Sequence, residues 1–194
     1  MQEAATREIK VWALAVVAGV LLAGMIHIVS ILAMPGLSRA SAFQRVTAST
    51  PLFQTVLLGG ARAPAVSPLD PATAVAVCAY DLANGPARVR VETRDQLLTL
   101  SFIGDDSRVI YGLTDRAAQK GVIELVLVTR PQLDEALALD EEDEVQGELR
   151  VLSPTRRGLA VARVLVGLPS ERSEAEALSS GLRCSPAAAK AAPG

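Results

Sequence analysis

Aromatic side chains are scarce in this chain. Six of its 194 residues carry a ring (Trp12, Phe43, Phe53, Tyr80, Phe102 and Tyr111), although half of the sequence is hydrophobic. The apolar content is therefore Ala, Val and Leu. That excludes disorder as a description of the whole chain, and it leaves few platforms on which a base or a sugar could stack. An excess of one charge is missing too: 19 basic residues stand against 21 acidic ones, a net charge of −2. A nucleic-acid binder needs a basic face, so that class is excluded. Histidine occurs once, as His27, and the two cysteines are Cys78 and Cys184. Two thiols and one imidazole cannot close a structural zinc site without carboxylate help, so neither metal nor cofactor is expected.

Catalytic apparatus is equally thin. Beyond residue 34 there is no histidine, so neither a Ser-His-Asp triad nor a Cys-His pair can be assembled there. No Gly-x-Ser-x-Gly elbow occurs, and no Gly-rich phosphate loop of either common type. An envelope hydrolase working with two carboxylates stays open as an alternative, because Asp81, Asp105, Asp106 and Asp115 all fall at the ends of expected strands. Nothing in the sequence fixes their separation. The reading leans away from an enzyme.

What is present begins with a long apolar run. Val11 to Met34 holds 24 residues with no charge and the lone His27. At about 1.5 Å per helical residue this crosses a hydrocarbon core of roughly 30 Å. Trp12 stands at one edge, where an indole suits the interface, and Pro35-Gly36 is expected to end the helix. The competing reading is a cleavable signal peptide. Its apolar core is typically only about 7–15 residues, and the Ala40-Ser41-Ala42 site lies well past the run. Length favours an uncleaved anchor in contact with the lipid bilayer. Orientation is nearly tied, Arg7 and Lys10 on one flank against Arg39 and Arg45 on the other. The short tail favours a cytoplasmic N-terminus and an exported domain. His27 reads either as a functional intramembrane group or as a neutral imidazole bonded to a neighbouring helix or to Ser30, and without an acidic partner it cannot form a relay.

The organisation that follows is a tail over 1–10, an anchor over 11–34, and a linker over 35–72 with a short helix and a Pro-rich loop. A β-rich domain over 73–184 and a flexible tail over 185–194 complete it. Within the domain, TAVAVCAYDL, ARVRVE, LLTLSFI, RVIYGL, VIELVLV, ELRVL and GLAVARVLVGL are short, Val- and Leu-rich, and bounded by turn residues. ARVRVE alternates strictly, the period of a half-buried strand. Asn84-Gly85-Pro86 and Gly104-Asp105-Asp106-Ser107 predict hairpins between consecutive strands. Two helices are expected, Pro131–Leu139 and Ser170–Leu182, the second opening with a partial capping box from Ser170 to Ser173. The fold class is α+β, mostly β, antiparallel, with peripheral helices. Seven carboxylates crowd residues 134–144, but without the turn glycine and spacing of a calcium loop they read as a solvated surface, partly neutralised by Arg150, Arg156 and Arg157.

The block Tyr80-Asp81-Leu82-Ala83-Asn84-Gly85-Pro86, followed by Ala87-Arg88-Val89-Arg90-Val91, resembles a signature of the bacterial family known as domain of unknown function 1254. Ile110-Tyr111-Gly112-Leu113-Thr114-Asp115-Arg116-Ala117, Lys120-Gly121 and His27-Ile28-Val29 fit the same pattern, which is similar to short, membrane-anchored alphaproteobacterial members. The chain departs from that pattern where Leu97, Leu98, Leu100 and Phe102 fill a strand that is usually aromatic. The resemblance implies an envelope location, a β-rich fold and a companion envelope protein as partner, and it supplies no activity. If the family shares a ligand site, it would involve Tyr80, Asp81, Tyr111, Asp115 and Arg116. An even cysteine count in an exported domain predicts one disulfide, Cys78–Cys184. The plainer alternative is a small buried side chain at Cys78 and an exposed thiol at Cys184.

Together these readings give a single-pass inner-membrane protein carrying a non-catalytic periplasmic binding or protein-interaction module. The alternative is an accessory subunit docked through a helix lined by Gly19, Ala23, Gly24 and Ser30.

Overall fold

The computed structural model describes residues 2–37, 41–59, 70–140 and 149–187. The chain divides into two compact units, residues 1–39 and 40–194. The first is one helix, α1 (Gln2–Leu37). Within it Lys10–Met34, 25 residues with a mean hydropathy of 2.5, has none of its surface buried and is long and apolar enough to cross a membrane. The helix does not stop at Pro35-Gly36 but runs to Leu37. Proline removes one bond from the last turn, and a terminal turn survives that loss. Ser30 returns its hydroxyl to the carbonyl of Ile26 at 2.8 Å rather than offering it to His27.

In the second unit, α2 (Ala42–Thr47) opens on a reciprocal cap: Gln44 N–H donates to Ser41 Oγ at 3.2 Å, and Ser41 N–H donates to Gln44 Oε1 at 3.1 Å. The strands follow as β1 (Thr55–Leu57), β2 (Thr73–Asp81), β3 (Ala87–Glu92), β4 (Leu98–Gly104), β5 (Val109–Thr114), β6 (Val122–Val128), β7 (Arg150–Leu152), β8 (Arg157–Leu165) and β9 (Arg183–Pro186). Helix α3 (Arg130–Asp140) precedes β7, and α4 (Arg172–Ser180) precedes β9. They form a five-stranded sheet in the order β1-β2-β8-β4-β5 and a four-stranded sheet in the order β7-β6-β3-β9. Every pairing is antiparallel except β6 with β7.

Alternation along the strands builds two apolar layers. Ala74, Cys78 and Tyr80 of β2 join Val89 and Val91 of β3, Leu100 and Phe102 of β4, and Leu125 and Leu127 of β6 in the main core, closed by Ala175 and Leu178 of α4. The intervening Val75, Val77 and Ala79, with Leu159 and Val161 of β8, face the other way and receive Phe43 and Val46 of α2. Buried on both faces, β2 reads as a continuous apolar run rather than an alternating one. Burying Phe43 and Val46 contributes roughly 1.5–3 kcal/mol each.

Four expectations are corrected. The Asn84-Gly85-Pro86 turn does not close a hairpin; with Gly85 at φ +137° it hands the chain from the first sheet to the second, where β3 pairs with β6 and β9. Residues 41–59 belong to the domain and not to a linker, because α2 covers a sheet face and β1 pairs with β2. The tail expected from Ser185 begins as strand instead, Ser185 and Pro186 lying opposite Arg88 and Ala87. The cap expected from Ser170 to Ser173 is absent: a 3₁₀ turn, Pro169–Glu171, leads into α4, and Leu168 N–H donates to the Glu171 carboxylate at 3.1 Å. The hairpin over Gly104–Ser107 is present, with β4 and β5 paired and Ser107 at φ +66°. Of the acidic segment, Asp134 meets Arg130 at 3.7 Å on exposed helix surface, and residues 141–148 lie outside the described residues.

Candidate functional site

Register brings polar strand ends together at one end of the five-stranded sheet. β2 finishes at Asp81 opposite Arg157, where β8 starts, and the next residue of β8, Gly158, lies opposite Gly104 at the end of β4. The turn after β4 and the loop before β8 therefore meet, and Asp81, Asp105, Thr155, Arg156 and Arg157 line a cleft of about 440 Å³. Asp81 caps its own turn, accepting from Ala83 N–H at 2.8 Å. The Asp105 carboxylate meets Arg157 Nε at 3.4 Å, and Asp105 N–H donates to the Arg157 carbonyl at 3.0 Å. Thr155 Oγ1 donates to that same carbonyl at 2.9 Å, while the Arg157 guanidinium lies 5.6 Å from the centre of the Phe43 ring. The cleft offers two carboxylates, two guanidiniums and a hydroxyl, a set suited to holding a polar or zwitterionic group. Among the described residues no cluster of three or more His, Cys, Asp or Glu could hold a metal.

Beneath the cleft lies Tyr80, fully buried. Its hydroxyl makes no close hydrogen bond among the described residues, and the neighbouring Ser153 hydroxyl donates to the Thr155 carbonyl at 2.6 Å. Burial pushes the phenol up to about 12, Ser153 pulls back against it, and the Asp105 charge adds to the rise. The ring fits only because its cross-strand neighbour is Gly158, where a Cβ would stand 2.5 Å from the Tyr80 hydroxyl and 2.5 Å from the Ile103 carbonyl oxygen.

The five residues expected to share a ligand site do not come together. Asp81 lines the cleft and Tyr80 underlies it. Tyr111 sits on β5, the outer strand of the sheet, opposite Phe102. Asp115 and Arg116 form a 3₁₀ turn after β5 at the opposite end of the sheet, where Thr114 pairs with Thr99. There Asp115 Oδ1 is buried without a hydrogen-bond partner among the described residues. Asp106, also weighed as a strand-end acid, accepts from Arg108 N–H at 3.0 Å in the hairpin. Thr155, Arg156 and Arg157 carry no site motif in the sequence. Their link to Asp81 is a register across 76 positions of sequence, which no local pattern carries.

The expected disulfide is present. Cys78, fully buried on β2, is bonded to Cys184 on β9 with the Cα atoms 6.5 Å apart. It joins an inner strand of one sheet to an edge strand of the other.

An apolar helix followed by a disulfide-bridged α+β domain of two sheets, with a polar cleft at one sheet end, defines the class of protein. Residues 57–186 match the family described as "Protein of unknown function (DUF1254)", and the chain belongs to that family. No curated protein matches it. Among solved structures it is similar to the VPA0106 protein from Vibrio parahaemolyticus, with 12% identity and a TM-score of 0.50 over 72% of this chain and 31% of that one. It is also similar to an uncharacterised protein from Burkholderia cenocepacia, with 14% identity and a TM-score of 0.44 over 77% of this chain and 39% of that one. The chain thus spans about a third of the length of these structures. The first likeness concerns the fold alone.

Proposed function

We propose that this DUF1254 protein is a single-pass inner-membrane protein that presents a non-catalytic binding or protein-interaction module to the periplasm. The observation that carries the reading is the pairing of an uncovered apolar helix, Lys10–Met34, with a disulfide-bridged domain. A helix apolar on every side buries its surface in lipid, and a disulfide persists in an oxidising compartment. Binding is assigned to the Asp81–Arg157 cleft, whose charged groups are held by strand ends and turns. Alkaline phosphatase fused after residue 194 tests the topology: activity is expected, and cytoplasmic fluorescence of a parallel fusion without phosphatase activity would overturn it.

A second reading, an accessory subunit of a larger membrane complex, is supported by the open surface of α1, where Gly19 and Gly24 have nothing within 4 Å. Purification in gentle detergent separates the two, since a lone small species disfavours the subunit. A hydrolase would use Asp81 and Asp105, the two acids of the cleft, and unchanged behaviour of Asp81→Asn in cells would count against it.

A further inference from the structure

A second concavity, of about 250 Å³, lies where β3 and β9 meet the end of α4, lined by Arg90, Glu92, Arg94, Ala177, Leu178, Gly181 and Arg183. Three guanidiniums face one carboxylate there. Arg90 and Arg183 are direct cross-strand neighbours, an arrangement that like charges destabilise. Arg90 reaches away to Glu124 at 2.9 Å, but that carboxylate is already shared with Arg88 at 2.7 Å. Both arginines hold the Glu124 acid below the usual carboxylate range. The side chains of Arg94 and Arg183 have no hydrogen-bond or ion-pair partner among the described residues. At the helix end the carbonyls of Ala177, Leu178 and Ser179 accept from Gly181 and Leu182 N–H groups.

We propose that this cleft binds a phosphate-type dianion, free or carried on an anionic lipid headgroup. Two unpartnered guanidiniums supply forked donors that match its oxygens, and the dianion cancels the excess charge of the cluster. An unfilled site of this kind costs stability, so the arginines are expected to weaken the ligand-free fold and strengthen the bound one.

The test is thermal unfolding, followed by circular dichroism, of the full chain in nanodiscs of phosphatidylcholine, in phosphate or in chloride of equal ionic strength. Phosphate is expected to raise the midpoint by a few degrees through mass action. Arg94→Gln/Arg183→Gln should lose that rise and melt no lower than the parent in chloride. Arg94→Gln alone lies outside the strands and should lose part of it. Because phosphate also stabilises folded proteins without binding, only the difference between parent and variant counts. Phosphate-free nanodiscs containing phosphatidic acid, whose phosphomonoester headgroup can carry the second charge that a phosphodiester lipid lacks, identify the lipid source if they reproduce the rise. The proposal is overturned if parent and variant respond equally to both anions, or if the variant melts lower in chloride, which would make the arginines props for the helix end.

Discussion

At the scale of single residues, the phenol of Tyr80 and the missing side chain of Gly158 form one device. The folded phenol titrates at about 12 against 10.0 for an ordinary tyrosine, so the folded state holds its proton where the unfolded chain has lost it. That contribution is complete below pH 10 and disappears as pH rises through 12, amounting to about 3 kcal/mol. An unfolding series between pH 9 and 12.5 should show this alkaline loss, and Tyr80→Phe should flatten it. Near pH 7 the same variant should be neutral or gain up to about 1 kcal/mol, because the hydroxyl it removes is buried and unpaired. An alkaline limb as steep as the parent's would refute the assignment to Tyr80. Gly158→Ala should cost about 2–3 kcal/mol, since its methyl meets the phenol and the Ile103 carbonyl oxygen at 2.5 Å each. Combining it with Tyr80→Phe should recover part of the loss and no more, because the backbone contact stays. Full recovery in a double-mutant cycle would mean that the carbonyl is not a barrier.

At the scale of elements, the bond between Cys78 and Cys184 closes a sequence separation of 106 residues. Chain entropy assigns such a loop about 4.7 kcal/mol. Removing it should lower the melting midpoint by roughly 10–20 °C for a domain of this size. Heating with and without reductant measures this, and alkylation of the unreduced, denatured protein should label no cysteine. Two labelled cysteines would remove the bridge and a support of the periplasmic reading. The elements themselves were legible to different degrees. β3 shows its alternation openly because Val89 and Val91 face the core while Arg90 and Glu92 face solvent. β1 and β9 leave no trace in the sequence: three and four residues are too few for a period, and Arg183-Cys184-Ser185-Pro186 has the composition of a loop. Their strand geometry comes from partners, Cys78 for Thr55 and Val89 for Cys184. Gly85-Pro86 is legible as a turn, yet its direction depends on which sheet offers β3 an apolar partner, and that is tertiary information.

At the scale of the whole molecule, both apolar layers lie inside residues 40–194. Those residues, exported without α1, should therefore fold cooperatively and form the Cys78–Cys184 bond. Near-ultraviolet dichroism with a thiol count checks this, and a molten, thiol-positive product would show that the helix is needed. The α+β class and the long helix could be read from hydropathy alone, but the cleft could not, because Asp81, Asp105 and Arg157 converge only when β8 enters its sheet. That central position of β8 also governs the order of events during synthesis. β2 and β4 never pair with each other; each waits for β8, whose first residue follows Asp81 by 76 positions. Until it arrives, the edge of β2 that β8 covers stays unpaired, and only the three-residue β1 lies along the other edge. A nascent chain in that condition folds slowly and invites aggregation. The protein is therefore expected to lean on holdase chaperones while it folds, and depleting them should reduce its yield more sharply than that of a protein built from sequential hairpins.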